Sequence, residues 1–317
     1  MVEWLVEHGI GEDRALLVEN DRILAARHFL SGAPWAGTIY PARLVSRSGG
    51  SARGTARTEG GLEILVDKLP RDCTEGSELL VRLTRAPIAE RSRLKLAQGR
   101  PVAADAPEDS SNWALREVSS FAPGAWEEVW HAASSGVIDF AGGQILCCVT
   151  PAMTVIDIDG DLQPRELALA AVPAIAQALH WFDIGGSVGI DFPTLEAKAD
   201  RGAVNQALED ALADWPHERT AMNGFGFVQL VARLEGPSLL HKFDTSRVGM
   251  CARYALRIAE RLDGHGGAVL LTVHPALRAK IQDEWLAELS RRTGRQVRIE
   301  TDPGLALEAP SAQIVPL

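Results

Sequence analysis

The 317-residue sequence predicts an α/β protein of α+β, multidomain build: a small β-barrel, then an α/β unit, then a second, smaller α/β unit. Three observations predict it. Short apolar runs between residues 38 and 96 are separated by Gly/Ser/Arg-rich turns and show no helical period. A stretch rich in Pro, Ala, Asp and Ser, residues 101–118, then reads as a connection. From residue 144 onward, apolar strands alternate with segments of helical length.

Taken in order, residues 1–33 alternate well enough for two strands around the turn Glu19-Asn20-Asp21. The runs at 38–40, 62–66 and 79–83 suggest many short strands closing into a barrel such as an OB-fold, expected over 34–100. The flanks 1–33 and 101–133 are expected to form one unit. Within 134–241 the pattern predicts strands at 144–149 and 153–159, a helix at 166–181, a strand at 188–192, a helix at 196–213 and a strand at 225–230. A proline inside a helix costs about 3 kcal/mol, so the first of these helices is expected to kink at Pro173 or to begin there. The last unit, 242–317, reads as helix 248–262, strand 268–273, helix 276–292 and strand 296–300.

Composition narrows the function classes. With 46% hydrophobic and 23% charged residues the chain is an ordinary globular mixture, which excludes a disordered protein. Acids interrupt the first apolar residues, and no run approaches the length of a membrane span. A cytoplasmic protein with no membrane partner is therefore expected. Cys73, Cys147, Cys148 and Cys251 form no C-x-x-C pair, so reduced thiols in packed strands are expected, and no zinc. No histidine stands at ligand spacing from another. The tryptophans, Trp113 included, are assigned to the core. The formal charge of −10 argues against nucleic acid, but residues 43–100 hold twelve Lys/Arg against seven Asp/Glu. This basic island, on an expected barrel, points to phosphate contacts by Arg43, Arg53 and Arg57.

The chemistry-bearing residues are carboxylates. Asp157, Asp159 and Asp161 alternate at the end of an apolar strand, so they project to one side while that strand lasts. A second apolar strand ends in Asp191. Two such strands running parallel would set Asp157 and Asp191 together, where two like charges repel unless a cation joins them. Hard oxygen ligands point to Mg²⁺, with Mn²⁺ able to substitute. Helix capping or local turns by these acids is the competing, purely structural reading. The same D-x-D-G string also resembles the opening of haloacid-dehalogenase-type phosphotransferases, in which Asp157 would be the nucleophile and Asp159 the acid.

Taken together, the motifs from Met153 onward resemble the ribonuclease E/G family. The strand TVIDID (154–159) is similar to the family's TAIDIN strand, DIGGSVGIDF (183–192) to its DLGGxIVIDF segment, and NGFGFVQL (223–230) to its NGF…GLVEM strand. AIAQAL (174–179) and RGAVNQALEDAL (201–212) fall where the family has its EIARQL and RxVxxxL helices. Residues 38–100 are similar to the family's OB-fold, 1–33 to its RNase H-like portion, and 268–302 to its small C-terminal domain. The resemblance implies an RNase H-like/deoxyribonuclease-like catalytic fold over 134–241. It implies a single-strand-specific RNA endonuclease whose Mg²⁺ is held by Asp157 and Asp191, leaving 5′-phosphate and 3′-hydroxyl ends. Asp159 takes the place of an Asn that helps fix the site. The span from Arg100 to Trp126 is too short for the family's 5′-end sensor, and 241–247 stands where the family has its C-P-x-C zinc link. A monomer or simple homodimer is accordingly expected. A non-catalytic RNA-binding regulator of the same ancestry is the alternative reading.

Overall fold

The computed structural model describes residues 2–90, 92–107, 115–264 and 266–317; Trp113 and the centre of the connecting stretch lie outside them. The chain opens with an antiparallel meander of β1 (Val2–His8), β2 (Glu12–Glu19) and β3 (Arg22–Leu30). The expected turn is present, with Asn20 and Asp21 both at positive φ, as a two-residue hairpin loop requires. It joins the second and third strands. An earlier turn at Gly9-Ile10-Gly11, with Gly11 at φ +75°, splits what the pattern read as one strand into two.

A closed five-stranded barrel follows, built from β4 (Ile39–Arg47), β5 (Arg53–Thr58), β6 (Glu63–Asp67), β7 (Glu78–Arg85) and β10 (Ala97–Val102) in the order β10-β6-β5-β4-β7. The two-residue strands β8 (Ile88–Ala89) and β9 (Leu94–Lys95) form a hairpin ahead of β10. Leu44, Ala56, Ile64, Val66, Val81 and Leu83 fill the barrel as a core of its own. Gly99 permits the closure, because a Cβ there would sit 2.5 Å from Val81 Cγ1.

Past the barrel, β11 (Leu115–Val118) returns to pair in parallel with β1, so the flanks of the barrel share one sheet, β11-β1-β2-β3. The stretch read as connection thus carries strand at both ends. The helix α1 (Ala125–Ser135) then buries Trp126, Val129, Trp130 and Ala133 on one face and stops at the left-handed Gly136.

The central sheet comprises β12 (Val137–Phe140), β13 (Gly143–Val149), β14 (Thr154–Gly160), β15 (Gly186–Asp191), β16 (His217–Arg219) and β17 (Phe227–Ala232), in the order β12-β13-β14-β15-β17-β16. Two helices lie between its strands in sequence, α2 (Pro164–Trp181) and α3 (Lys198–Ala211). The expected alternation from 144 to 230 is present. α2, however, does not begin at Pro173. It starts at Pro164, whose fixed φ suits the first helical position, and runs through Pro173. Burial of Leu167, Ala171, Val172, Ile175, Ala178 and Leu179 outweighs the hydrogen bond that Pro173 cannot donate.

The C-terminal part holds α4 (Leu239–Glu260), β18 (Ala268–Val273), α5 (Pro275–Arg278), α6 (Asp283–Thr293), β19 (Gln296–Thr301) and β20 (Ser311–Val315), with sheet order β19-β18-β20. α4 begins nine residues ahead of the expected start because Ser238 caps it, accepting from His241 N at 3.2 Å, and the helix continues across a kink at Ser246. The segment expected as one helix over 276–292 is two, since Gln282 is extended and Asp283 and Glu284 begin a new first turn. The alternating strand β20 escaped sequence reasoning. Outside the barrel, one continuous hydrophobic cluster runs through the first sheet, the central sheet and the C-terminal elements. Among the described residues no helix is long and apolar enough to cross a membrane.

A buried ionic network clips α4 to the first sheet. Glu7 accepts from Arg14, Arg257 and Arg261 and from the Phe121 backbone N–H at 2.9 Å; Glu12 accepts from Arg14 Nε at 2.8 Å and from His28 at 2.6 Å. Burial opposes the charge on Glu12, yet Arg14 and His28 together hold its carboxyl at about 2. Burial pushes His28 down to about 4, so the imidazole is neutral at pH 7 and donates through Nε2, while Nδ1 has no partner. Both groups have folded values below their unfolded ones. Stability is therefore complete above about pH 6.5 and is expected to fall on acidification, first through His28 down to about pH 4 and then through Glu12 towards about pH 2. Urea midpoints at pH 7, 5 and 4 test this; a midpoint that does not move would contradict it.

Cys147 lies in β13, but Cys251 is in α4 and Cys73 in a loop, so the expectation of strand thiols holds only for the adjacent pair. All four are free, and burial pushes Cys147 and Cys251 to about 12. Only Cys148 is exposed. A thiol reagent is expected to label one cysteine per native chain and four after denaturation.

Candidate functional site

The crossover through α2 is what brings the acids together. β14 and β15 are the parallel neighbours of the central sheet, and their ladder runs Thr154↔Val188, Val155↔Gly189, Ile156↔Ile190 and ends at Asp157↔Asp191. Residues paired in register point to the same face, and adjacent strands lie about 4.8 Å apart. Ile156, Ile158 and Ile190 are buried on the inner side under α2, so Asp157 and Asp191 face outward, and both are exposed. The strand ends differ from the sequence reading in one respect. β15 stops at Asp191, whereas β14 continues to Gly160 along β13.

The outer face of this sheet is open. Gln144, Leu146, Cys148, Asp157, Asp159, Asp191 and Val231 are all exposed on it. Asp157 Oδ1 accepts from the adjacent Ile158 N–H at 3.1 Å. Among the described residues, no Lys, Arg or His forms an ion pair with Asp157, Asp159 or Asp191, although most other arginines of the chain are paired. Two carboxylates held side by side without a protein cation repel one another, an arrangement that a divalent cation would relieve.

Asp159 faces the same way but stands two residues along, about 6.7 Å on, where it pairs in register with Gln144. Among the described residues, no three His, Cys, Asp or Glu side chains are grouped closely enough to hold a metal. A pair of hard carboxylate oxygens still suits Mg²⁺, which keeps several waters and takes one or two carboxylates.

The surroundings are held firmly. Arg201 of α3 donates to the Leu195 and Glu196 carbonyls, fixing the loop that leaves Asp191, and Arg165 of α2 pairs with Asp200 at 3.0 Å. Asn205 accepts from Met222 N at 3.0 Å and so ties α3 to the chain entering the 223–226 turn. In that turn, Asn223 Oδ1 accepts from both Phe225 N (2.9 Å) and Phe227 N (3.0 Å), and Phe192 N donates to Gly226 O. Phe225 itself is 83% exposed. Sequence reasoning placed it at the start of a strand; its glycine neighbours on both sides were the available signal.

The basic residues of the barrel lie in a different pattern from that expected. Arg43, Arg53 and Arg57 are exposed on strands β4 and β5, but each meets a carboxylate across the sheet: Arg43 faces Glu78 at 3.8 Å, Arg53 faces Asp67 at 3.0 Å and Arg57 faces Glu63 at 2.5 Å. These three arginines are thus each paired locally, while the island keeps its excess of basic residues; exposed pairs of this kind are weak, about 0–1 kcal/mol each, and open readily to a phosphate. Residues 241–247, where the resemblance puts the zinc link, lie within α4 and include its kink at Ser246, with His241 buried against Ser238 at 2.8 Å. No protein-family model matches the chain.

Proposed function

We propose that this chain is a metal-dependent endoribonuclease acting on single-stranded RNA, with Asp157 and Asp191 holding Mg²⁺. The observation that carries the reading is the in-register pairing of these two carboxylates on an open sheet face without a protein cation. The ribonuclease E/G resemblance supports RNA as the substrate, and the closed barrel with its exposed arginines supports a phosphate-binding surface on the same chain.

When bound, the metal supplies charge neutralisation at a phosphate oxygen and a water of lowered pKa. The chain supplies the rest. Asp157 and Asp191 furnish the anionic oxygens at a fixed spacing set by the β14–β15 ladder. The loops pinned by Arg201 and Asn205 keep that ladder end from moving. The uncovered face admits an extended strand to the pair. Asp159 adds negative charge nearby without belonging to the pair.

A fluorescently labelled single-stranded RNA incubated with Mg²⁺ or with EDTA tests the reading. Cleavage in Mg²⁺ to 5′-phosphate and 3′-hydroxyl ends, abolished by EDTA, is expected. Binding without cleavage in Mg²⁺ would favour a regulator instead. Asp159→Asn is expected to change the rate by less than about threefold, because two charges about 6.7 Å apart on an exposed face interact by only about 0.6 kcal/mol in water. A deep loss would make Asp159 a direct ligand.

A further inference from the structure

Phe225 is the most exposed aromatic ring among the described residues, and nothing about its backbone is loose. Asn223 Oδ1 accepts from the N–H groups of Phe225 and Phe227, Gly226 N donates to Asn223 O at 3.2 Å, and Asn223 N donates to Phe227 O at 3.1 Å. The turn is locked to the site by the bond from Phe192 N to Gly226 O. Gly226 (φ +89°) allows that approach, since a Cβ there would lie 2.3 Å from Phe192 O. The backbone that carries the ring is therefore held in place, two residues from the one that pairs in register with Asp191, which is Phe227. The ring is open to solvent, and the space where a Cβ on Gly224 would stand is also empty.

An exposed Phe on a mobile loop would be unremarkable. A Phe on a clamped turn beside an anionic pair asks for a flat partner attached to a phosphate. One ring is too small for a protein interface, which needs on the order of 1,000 Å². It matches the face of one base. The uncompensated acids beside it also disfavour an acidic protein surface unless a cation intervenes.

We propose that Phe225 is a stacking platform for one unpaired nucleobase of the strand whose phosphate lies at Asp157 and Asp191. This rests on the nuclease reading and names how that site selects single strands, because a base paired in a duplex offers no free face. Stacking tolerates any base, so the platform gives preference for unpaired strand without a sequence requirement.

The test is a cycle between ring and base. Single-stranded RNAs carrying one abasic residue at each successive position are cleaved by the wild type, Phe225→Ala and Phe225→Trp. The wild type is expected to lose about 5- to 100-fold in kcat/KM at one position near the cleaved bond, with the loss in KM rather than kcat. Phe225→Ala is expected to show a loss of that size with intact RNA and no further loss at that abasic position, while Phe225→Trp restores the wild-type pattern. An abasic penalty equal in wild type and Phe225→Ala overturns the proposal, as does an unchanged KM in Phe225→Ala. If no variant cleaves, the nuclease reading fails by itself. Fluorescence anisotropy of the intact and abasic RNAs then decides, with base-dependent binding lost in Phe225→Ala upholding the platform and equal binding overturning it. Sedimentation of the wild type as a dimer and of Phe225→Ala as a monomer would place the ring against a second copy and also overturn it.

Discussion

Asp157→Asn and Asp191→Asn are each expected to lower cleavage of single-stranded RNA by at least about a hundredfold. A bound cation contributes several kcal/mol to a phosphoryl transition state, and each 1.4 kcal/mol or so is a factor of ten, so loss of one of two anionic ligands removes about 3 kcal/mol or more. The fold is not expected to suffer. Both side chains are exposed, and the ladder beneath them is made by backbone bonds and by Ile156 and Ile190. In metal-free buffer each variant is expected to be slightly more stable than the wild type, by about 0.5 kcal/mol, because a like-charge pair directly opposite across two strands is relieved. Thermal unfolding with EDTA measures that gain, and single-turnover cleavage in Mg²⁺ measures the loss. A variant cutting at close to the wild-type rate would remove its residue from the site.

Glu7→Gln is expected to destabilise the protein by about 3–5 kcal/mol. Its carboxylate is buried and accepts from Arg14, Arg257, Arg261 and Phe121 N. Burial opposes its charge, yet Arg257 and Arg14 outweigh that cost and hold the carboxyl below its usual range. The amide keeps the size but removes the charge, leaving two nearly inaccessible guanidinium groups with one carboxylate each, Arg14 with Glu12 and Arg257 with Glu127, and Arg261 without its buried partner. The urea midpoint in the wild type and the variant reads the effect, and a shift under 1 kcal/mol would show the cluster to be solvated. Because Arg257 and Arg261 belong to α4 while Glu7 belongs to β1, the variant is also expected to loosen α4 from the first sheet, visible as faster amide exchange along that helix.

The contrast between these two sites shows what a sequence carries. The βαβ unit around the acids is legible because local signals agree: Asp157 and Asp159 alternate on an apolar strand, α2 has helical length, and a glycine-rich stop precedes the strand to Asp191. Adjacent parallel strands joined by one helix follow from that order. The register that sets Asp157 opposite Asp191 and ends the ladder there does not, since it depends on how far α2 carries the chain back. The Glu7 cluster was illegible because its partner Arg257 is 250 residues away and both read as surface charges. Phe225 was misread for the opposite reason. Its type predicts a buried strand residue, and only the clamp by Asn223, visible in three dimensions, holds it outside. The arginines Arg43, Arg53 and Arg57 were found by composition, but their pairing with Glu78, Asp67 and Glu63 is a property of barrel register.

Whether the two paired aspartates share a cation is read most directly from a crystal soaked in Mn²⁺, through the anomalous signal of the metal. One peak within coordination distance of carboxylate oxygens from both Asp157 and Asp191 is the predicted result. A saturating soak that leaves no peak between them, or that places the metal on other residues, would overturn the shared-cation site.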